Sequence, residues 1–442
     1  MNTDKAKIII VDDEAPEDVA MLAALYSRSP ASVVEHLERV KAAGSGKFMS
    51  QYYVRYGHKS IADCGSTSIF VEGISILAAK AIQDHPLYSG QESSTRYIDF
   101  SKQPIQDPLG TTDSWDIQQR WMKFYFKSQP ELTEHIRQKY PRNEGEDEKD
   151  YERAVKARVF DILRAFLPAG ATTNVAWHTN LRQARDKLAT LVVHPDPRIS
   201  RMAEGIASEL HRKYPSSGFG NVGGSADART YRSKVMAQHA YAESAWGPMN
   251  VGDVWFKACI DDIALEDNVD LLWNRPAGVE LPRFLSNLGV IHSRFLLDFG
   301  SYRDLQRHRN GTIRMPLLTG INNFCLWYFE QMPAKMAHEA IDLVRDQTER
   351  IEALPTDKIT KQYYYSLGFN VVCEVTQDLP AFVYRLELRS AKTVHPTLRD
   401  RVLEEIKHFR RRFPDIKLHV DTSPDDWDVR RGTQTIELRD PG

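Results

Sequence analysis

Four cysteines in 442 residues, Cys64, Cys259, Cys325 and Cys373, are too few and too scattered for a disulfide framework, and no C-x-x-C spacing offers a zinc ligand pair. Long apolar runs are missing too. None reaches the roughly 18 to 20 residues of a membrane span, and the amino terminus offers only Ile8-Ile9-Ile10-Val11 before a run of acids, which is not a secretory signal. Nor is there a charge of one sign: 58 basic residues stand against 60 acidic ones, so no global field steers the chain to nucleic acid or to an anionic membrane. These absences predict a soluble cytoplasmic protein, long enough for two or three domains. Any anion site must be local.

Residues 7–13, KIIIVDD, predict a buried strand like the start of a receiver domain, but no Asp stands about forty residues on, where such a domain needs its phosphoacceptor. Residues 29–41 carry Ser29-Pro30 and then apolar residues at helical spacing. A turn at Gly57-His58 precedes a strand over 66–71 and a helix over 74–83, which ends at Asp84-His85-Pro86 because proline disfavours helix at the residue before it. Residues 141–156 read as exposed charge. Helices are predicted over 159–167, carrying Arg164, and over 177–191, carrying Asn180, Arg182 and Arg185. A basic amphipathic helix then runs to Tyr214-Pro215. In the second half, 290–297 alternates as a strand with His292 and Arg294 on one face, and 316–389 reads as mainly helical.

The densest cationic stretch is 302–315, YRDLQRHRNGTIRM, where Arg307, His308 and Arg309 are adjacent. Three such neighbours repel one another, and an anion is the simplest reason to keep them together. An echo lies upstream: Lys80-Ala81-Ile82-Gln83-Asp84-His85 matches 303–308 at the basic residue, the aliphatic, the Gln and the His. A second echo pairs 193–215, VHPDPRISRMAEGIASELHRKYP, with 394–414, VHPTLRDRVLEEIKHFRRRFP. Two echoes predict a tandem duplication, 1–215 and 231–442, joined by a Gly/Ser-rich linker at 216–230. The linker holds Gly218-x-Gly220-x-x-Gly223, the spacing of a dinucleotide fingerprint, but no strand precedes it, so linker coil suffices as the explanation.

The loop 88–97, YSGQESSTRY, is dense in donors and acceptors. With the Arg-His-Arg triplet it resembles the signature of the flavin-dependent thymidylate synthases, in which R-H-R is followed by S-x-N-E-x-S-x-R-Y, with a Gly-His turn upstream and an N-x-R helix downstream. Each half carries only part. The first half has Gly57-His58, the loop with Gln91 in place of Asn, Arg164 and Asn180-x-Arg182, but Asp84-His85-Pro86 stands where the triplet should be. The second half has Arg307-His308-Arg309 and Leu386-Glu387-Leu388-Arg389, lacks the loop, and carries Gln362 where the phosphate arginine would stand.

The resemblance implies an α+β fold of two tandem domains, each an antiparallel sheet with packed helices. It implies a composite site that methylates C5 of dUMP to dTMP with methylenetetrahydrofolate, FAD and NADPH. Gln91, Glu92, Ser93, Ser94, Arg96, Tyr97, Arg164 and Arg389 would hold the nucleotide. His58, Asn180, Arg182, Arg307, His308 and Arg309 would hold the cofactor, with Arg389, Glu92 and Arg307 catalytic. No metal is expected. Because family members assemble each site from several chains of a tetramer, a homodimer forming a pseudo-tetramer is expected. C5 hydroxymethylation or another pyrimidine nucleotide is the alternative chemistry, and a degenerate nucleotide-binding protein the alternative without chemistry.

Overall fold

The computed structural model describes residues 9–96, 100, 103–240, 249–250, 252–308 and 310–424. Tyr97 and Arg309 therefore lie outside the described residues. Helices dominate, with one sheet of strand order β1-β3-β2, formed by β1 (Ser66–Ser75), β2 (Ser89–Glu92) and β3 (Thr172–Asn180). A second, antiparallel sheet has the order β4-β5-β7-β6, from β4 (Val254–Ile260), β5 (Gly289–Asp298), β6 (Thr312–Arg314) and β7 (Asn370–Asp378). The expected α+β class holds.

The chain folds into two compact units, each built from separated stretches: 1–72, 87–91 and 175–238 form one, and 73–86, 92–174 and 239–442 the other. In the first unit the helices Pro16–Tyr26 and Val33–Ala43 enclose Met21, Leu22 and Val40. The second starts later than the expected 29–41 because Ser32 is its N-cap, accepting from the Val34 amide. Residues 9–12 form no strand, and Ile10 is 82% exposed, which corrects the buried strand expected at the amino terminus. The helix expected over 177–191 begins only at Leu181. Its first residues belong to β3, where Val175, Trp177 and Thr179 alternate with solvent-facing neighbours, and the period of two prevails over the period of 3.6. Part of the expected linker is also ordered as helix, Ala226–Ala240.

Gly90, inside the loop that carries the signature, lets β2 press on β3. A Cβ there would sit 1.9 Å from the carbonyl oxygen of Ala176, which also accepts from the Tyr88 hydroxyl at 3.0 Å. Gly90→Ala is expected to cost about 2 kcal/mol or more, the scale of overpacking plus a lost hydrogen bond, measured as a lower urea midpoint with an unchanged m-value.

The second unit holds the main core, in which Trp121, Phe166, Phe324 and Phe369 pack on one another and the Trp121 indole donates to the Tyr364 carbonyl at 2.8 Å. As expected, 316–389 is mainly helical, with helices at Trp327–Glu330, Ala334–Ala353, Lys358–Lys361 and Leu379–Arg389, but β7 interrupts them at Asn370–Asp378, where the valines of NVVCEV are buried. In this unit the two halves of the chain repeat their backbone bonds. Gly170 N donates to Tyr363 O and Gly368 N to Ala165 O, the same bond with the roles exchanged. Ala169 N to Tyr365 O is mirrored by Leu367 N to Leu167 O. Thr172 N to Pro104 O recurs as Asn370 N to Asn323 O, Gln106 N to Gly170 O as Cys325 N to Gly368 O, and Ile76 N to Ala171 O as Phe299 N to Phe369 O. The upstream echo follows the same pattern. β1 passes through the N-cap Ser75 into the helix Ile76–Gln83, as β5 passes through the N-cap Asp298 into Phe299–Leu305.

Candidate functional site

Within the second unit Glu92, the last residue of β2, is 9% exposed and is held from two sides. Gln83, ending Ile76–Gln83, donates its amide to Glu92 Oε2 at 2.6 Å. Arg303, on Phe299–Leu305, donates to Oε1 and reaches Thr95 Oγ1 at 3.4 Å, while Arg307 Nη2 stands 3.8 Å from the same carboxylate. The loop that begins with Glu92 is thus clamped by side chains just before and inside the Arg-His-Arg triplet. Such a clamp works because a buried carboxylate needs a cation and hydrogen bonds to offset its lost hydration.

Asp304, next along the helix, lies in the field of Arg307, Arg164, Arg389 and Arg96. Burial raises its pKa, but the arginines outweigh that and hold the carboxyl below its usual range. Arg96 pairs with Asp161, Nη2 to Oδ2 at 2.8 Å. Arg164 is fully buried, donates to Ser301 Oγ at 2.8 Å, and lies 3.9 Å from Asp298. His395, from the downstream echo, contacts the Asp161 carbonyl through Nε2 at 3.2 Å and Thr397 through Nδ1, and Thr397 donates to Asp298. A buried polar network therefore fixes the partners of Arg96 and Arg164.

Arg389 Nε donates to His308 Nε2 at 2.6 Å, and its Nη2 donates to the Asp304 carbonyl at 2.7 Å. Because a guanidinium can only donate, His308 is the neutral Nδ1–H tautomer. Burial pushes its pKa well below the usual imidazole range, and Arg389 and Arg385 push the same way. The unfolded imidazole takes up a proton near pH 6.5 where the folded one does not. The stability this residue confers is therefore fully present above about pH 6.5 and is lost as pH falls below it, at up to about 1.4 kcal/mol per pH unit. His308→Gln is expected to flatten that slope between pH 6.5 and 5 in urea denaturation, and an unchanged slope would contradict the assignment.

Other expected residues fall differently. Ser93 gives its amide to Asn174 O at 3.0 Å, and Ser94 Oγ accepts from the Arg96 amide at 3.2 Å, so Ser94 shapes the loop and the Ser93 amide is already engaged. Gln91, His58, Asn180 and Arg182 belong to the first unit. There Asn180 is the N-cap of Leu181–Leu191, accepting from Gln183 N at 2.8 Å, rather than a residue on a helical face. Arg182 pairs with Asp63 at 2.7 Å, at the end of the short helix Lys59–Asp63 that follows His58. His58 and Gln91 are exposed. The sequence reading missed Arg303, Gln83, Asp304 and Asp161; the echo that aligns Lys80 with Arg303 and Gln83 with Gln306 was the signal for the first two.

Residues 8–216 match the family model described as thymidylate synthase complementing protein. Over that stretch the first half of the chain is similar to that family. The resemblance seen in the motifs is borne out, and flavin-dependent thymidylate synthase chemistry is the family's association. Three UPF0159 proteins are similar over most of their length. One from Thermoplasma acidophilum is 23% identical over an alignment of 500 residues, covering 96% of this chain and 98% of its own. One from Chlamydia pneumoniae is 24% identical over 412 residues, covering 80% and 76%, and one from Chlamydia muridarum 24% over 439, covering 84% and 80%. Among the described residues no helix is long and apolar enough to cross a membrane, and no His, Cys, Asp and Glu side chains group as metal ligands.

FAD bears a pyrophosphate and a ring edged with amide-like groups. The first unit offers a guanidinium, Arg182, a side-chain amide, Asn180, and an exposed imidazole, His58, near which Tyr52 and Tyr56 stand edge-on at 6.3 and 6.4 Å between ring centroids. That donor set fits the group.

Proposed function

We propose that this chain is a flavin-dependent thymidylate synthase-like enzyme, a cytoplasmic homodimer of duplicated chains that converts dUMP to dTMP with methylenetetrahydrofolate and NADPH. The observation that carries the proposal is the convergence of the loop 92–96 of one half with Arg303, Asp304, Arg307 and Arg389 of the other. Neither half has both the loop and the triplet. Their juxtaposition supports one complete site assembled from two incomplete ones.

In this reading Arg307 meets the nucleotide monophosphate, since a planar guanidinium pairs bidentately with phosphate, while Arg96 and Arg164, engaged by Asp161 and Ser301, add positive charge nearby. Ser94 gives the loop its shape, with Gln91 and Tyr97 flanking it. Glu92, immobilised by Gln83 and Arg303, presents a fixed carboxylate edge that orients the nucleotide. Arg389, locked by His308 and the Asp304 carbonyl, is placed without reorganisation to stabilise negative charge developing on a pyrimidine carbonyl. His58, Asn180 and Arg182 of the first unit would hold FAD, while in the second His308 serves by keeping Arg389 in place. Bound FAD supplies the hydride and redox capacity that a cysteine-free methylation of C5 requires.

Two measurements test this. Purified protein supplied with FAD is expected to show flavin absorption bands, and expression is expected to rescue a thymidine auxotroph. Flavin bands without rescue would move the assignment to another C5 modification; absence of both would reduce the chain to a nucleotide-binding protein.

A further inference from the structure

The two halves do not leave two equal sites, and the counterpart of the arginine-rich one has different chemistry. A cleft of about 240 Å³ in the second unit is lined by Asp84, His85, Gln306, His308, Gly311 and Thr312, among others. Gln306 is 7% exposed, and among the described residues neither its amide nitrogen nor its amide oxygen has a hydrogen-bond partner. A buried primary amide left so carries the full desolvation penalty of a donor and an acceptor. Gln83, its equivalent in the echo, uses its amide on Glu92. In the other half the strand that corresponds to β2 is β6, which Met315 follows as an apolar residue 4% exposed where Glu92 stands in the first. The internal carboxylate partner is gone, yet the glutamine remains polar and lines a cleft.

We propose that this cleft is a second binding site, for a small neutral heterocycle that presents a hydrogen-bond donor and acceptor side by side, an imide or amide edge. Gln306 pairs with that edge through both of its amide atoms. No lysine or arginine is among the described lining residues, and Asp84 stands at the echo position of Arg307, so no described lining residue pairs with a phosphate. The volume lies below the roughly 300 to 1,000 Å³ of sites for drug-sized ligands, which admits a single ring and excludes a dinucleotide. His308, whose Nε2 is occupied by Arg389, contributes only its Nδ1–H. The proposal does not depend on the reaction assigned above.

Isothermal titration of the full-length protein with uracil, cytosine and nicotinamide, each as the free compound, tests it. At least one is expected to bind at one equivalent per chain with a Kd of about 1 mM or tighter, roughly −4 kcal/mol. Gln306→Leu, with Gln306→Met as a second variant should the first not fold, is expected to weaken binding at least tenfold, and Arg307→Ala to leave it unchanged. Three results would overturn the proposal: no probe binding the wild type, binding undiminished in both Gln306 variants, or binding abolished by Arg307→Ala, which would place the probe in the arginine-rich site. A rise in thermal stability in Gln306→Leu without any probe binding would instead mark the amide as a remnant of the lost carboxylate pair.

Discussion

Arg303→Met is expected to lower folding stability by about 3–5 kcal/mol, the cost of leaving a buried charge without its partner. Glu92 would keep the Gln83 amide and the more distant Arg307, 3.8 Å away, but no close cation. Thr95 would lose its only guanidinium contact among those described. The loop between them carries residues proposed to hold the nucleotide, so activity should fall further than stability does, by two orders of magnitude or more at a temperature where the variant remains folded. Urea denaturation and single-turnover assays separate the two effects. A double variant, Arg303→Met with Glu92→Gln, supplies the control: removing both charges should recover much of the stability, because the penalty lies in the unpaired carboxylate, and should recover none of the activity. If Arg303→Met alone were as stable and as active as the wild type, the clamp would be a bystander.

The second large effect is an asymmetry between equivalent positions. Arg307 and Asp84 occupy the same place in the two echoes, each following a glutamine at the end of its helix. Arg307→Ala is expected to weaken dUMP binding roughly 10- to 100-fold, the worth of one charge-assisted hydrogen bond of about 1.5–3 kcal/mol. Asp84→Ala should leave it within about twofold. Fluorescence or calorimetric titration of both variants with dUMP gives the comparison directly, and equal sensitivity of the two would refute a single nucleotide site per chain. Since Arg307 is more than a third exposed, its loss should cost little stability, which separates this variant from Arg303→Met.

Much of this was legible in the sequence. The echo of 80–85 and 303–308 aligned residues that the fold places identically, just after an N-capped helix start, because a strand running into a short helix is a local structure that local sequence specifies. The errors came where two periods compete. Residues 172–180 and 370–378 are apolar enough to pass for helix starts, and only pairing with neighbouring strands, a nonlocal contact, makes them β. Asn180 was therefore placed on a helix face when it caps the helix, and the hydrogen-bonding capacity attributed to it is partly used by its own backbone.

By itself the sequence determined which residues could meet an anion and that neither half of the chain had a full set, because residue type and spacing along one strand or helix are local properties. Only the tertiary structure decided how those residues are used. Arg303, matched in the echo but given no role, became the counter-ion of Glu92. Arg389 was found holding His308 neutral, and Gln306 was left without the carboxylate its equivalent keeps. These outcomes depend on which side chains distant in sequence share a low-dielectric interior, where one missing partner costs as much as several surface contacts supply.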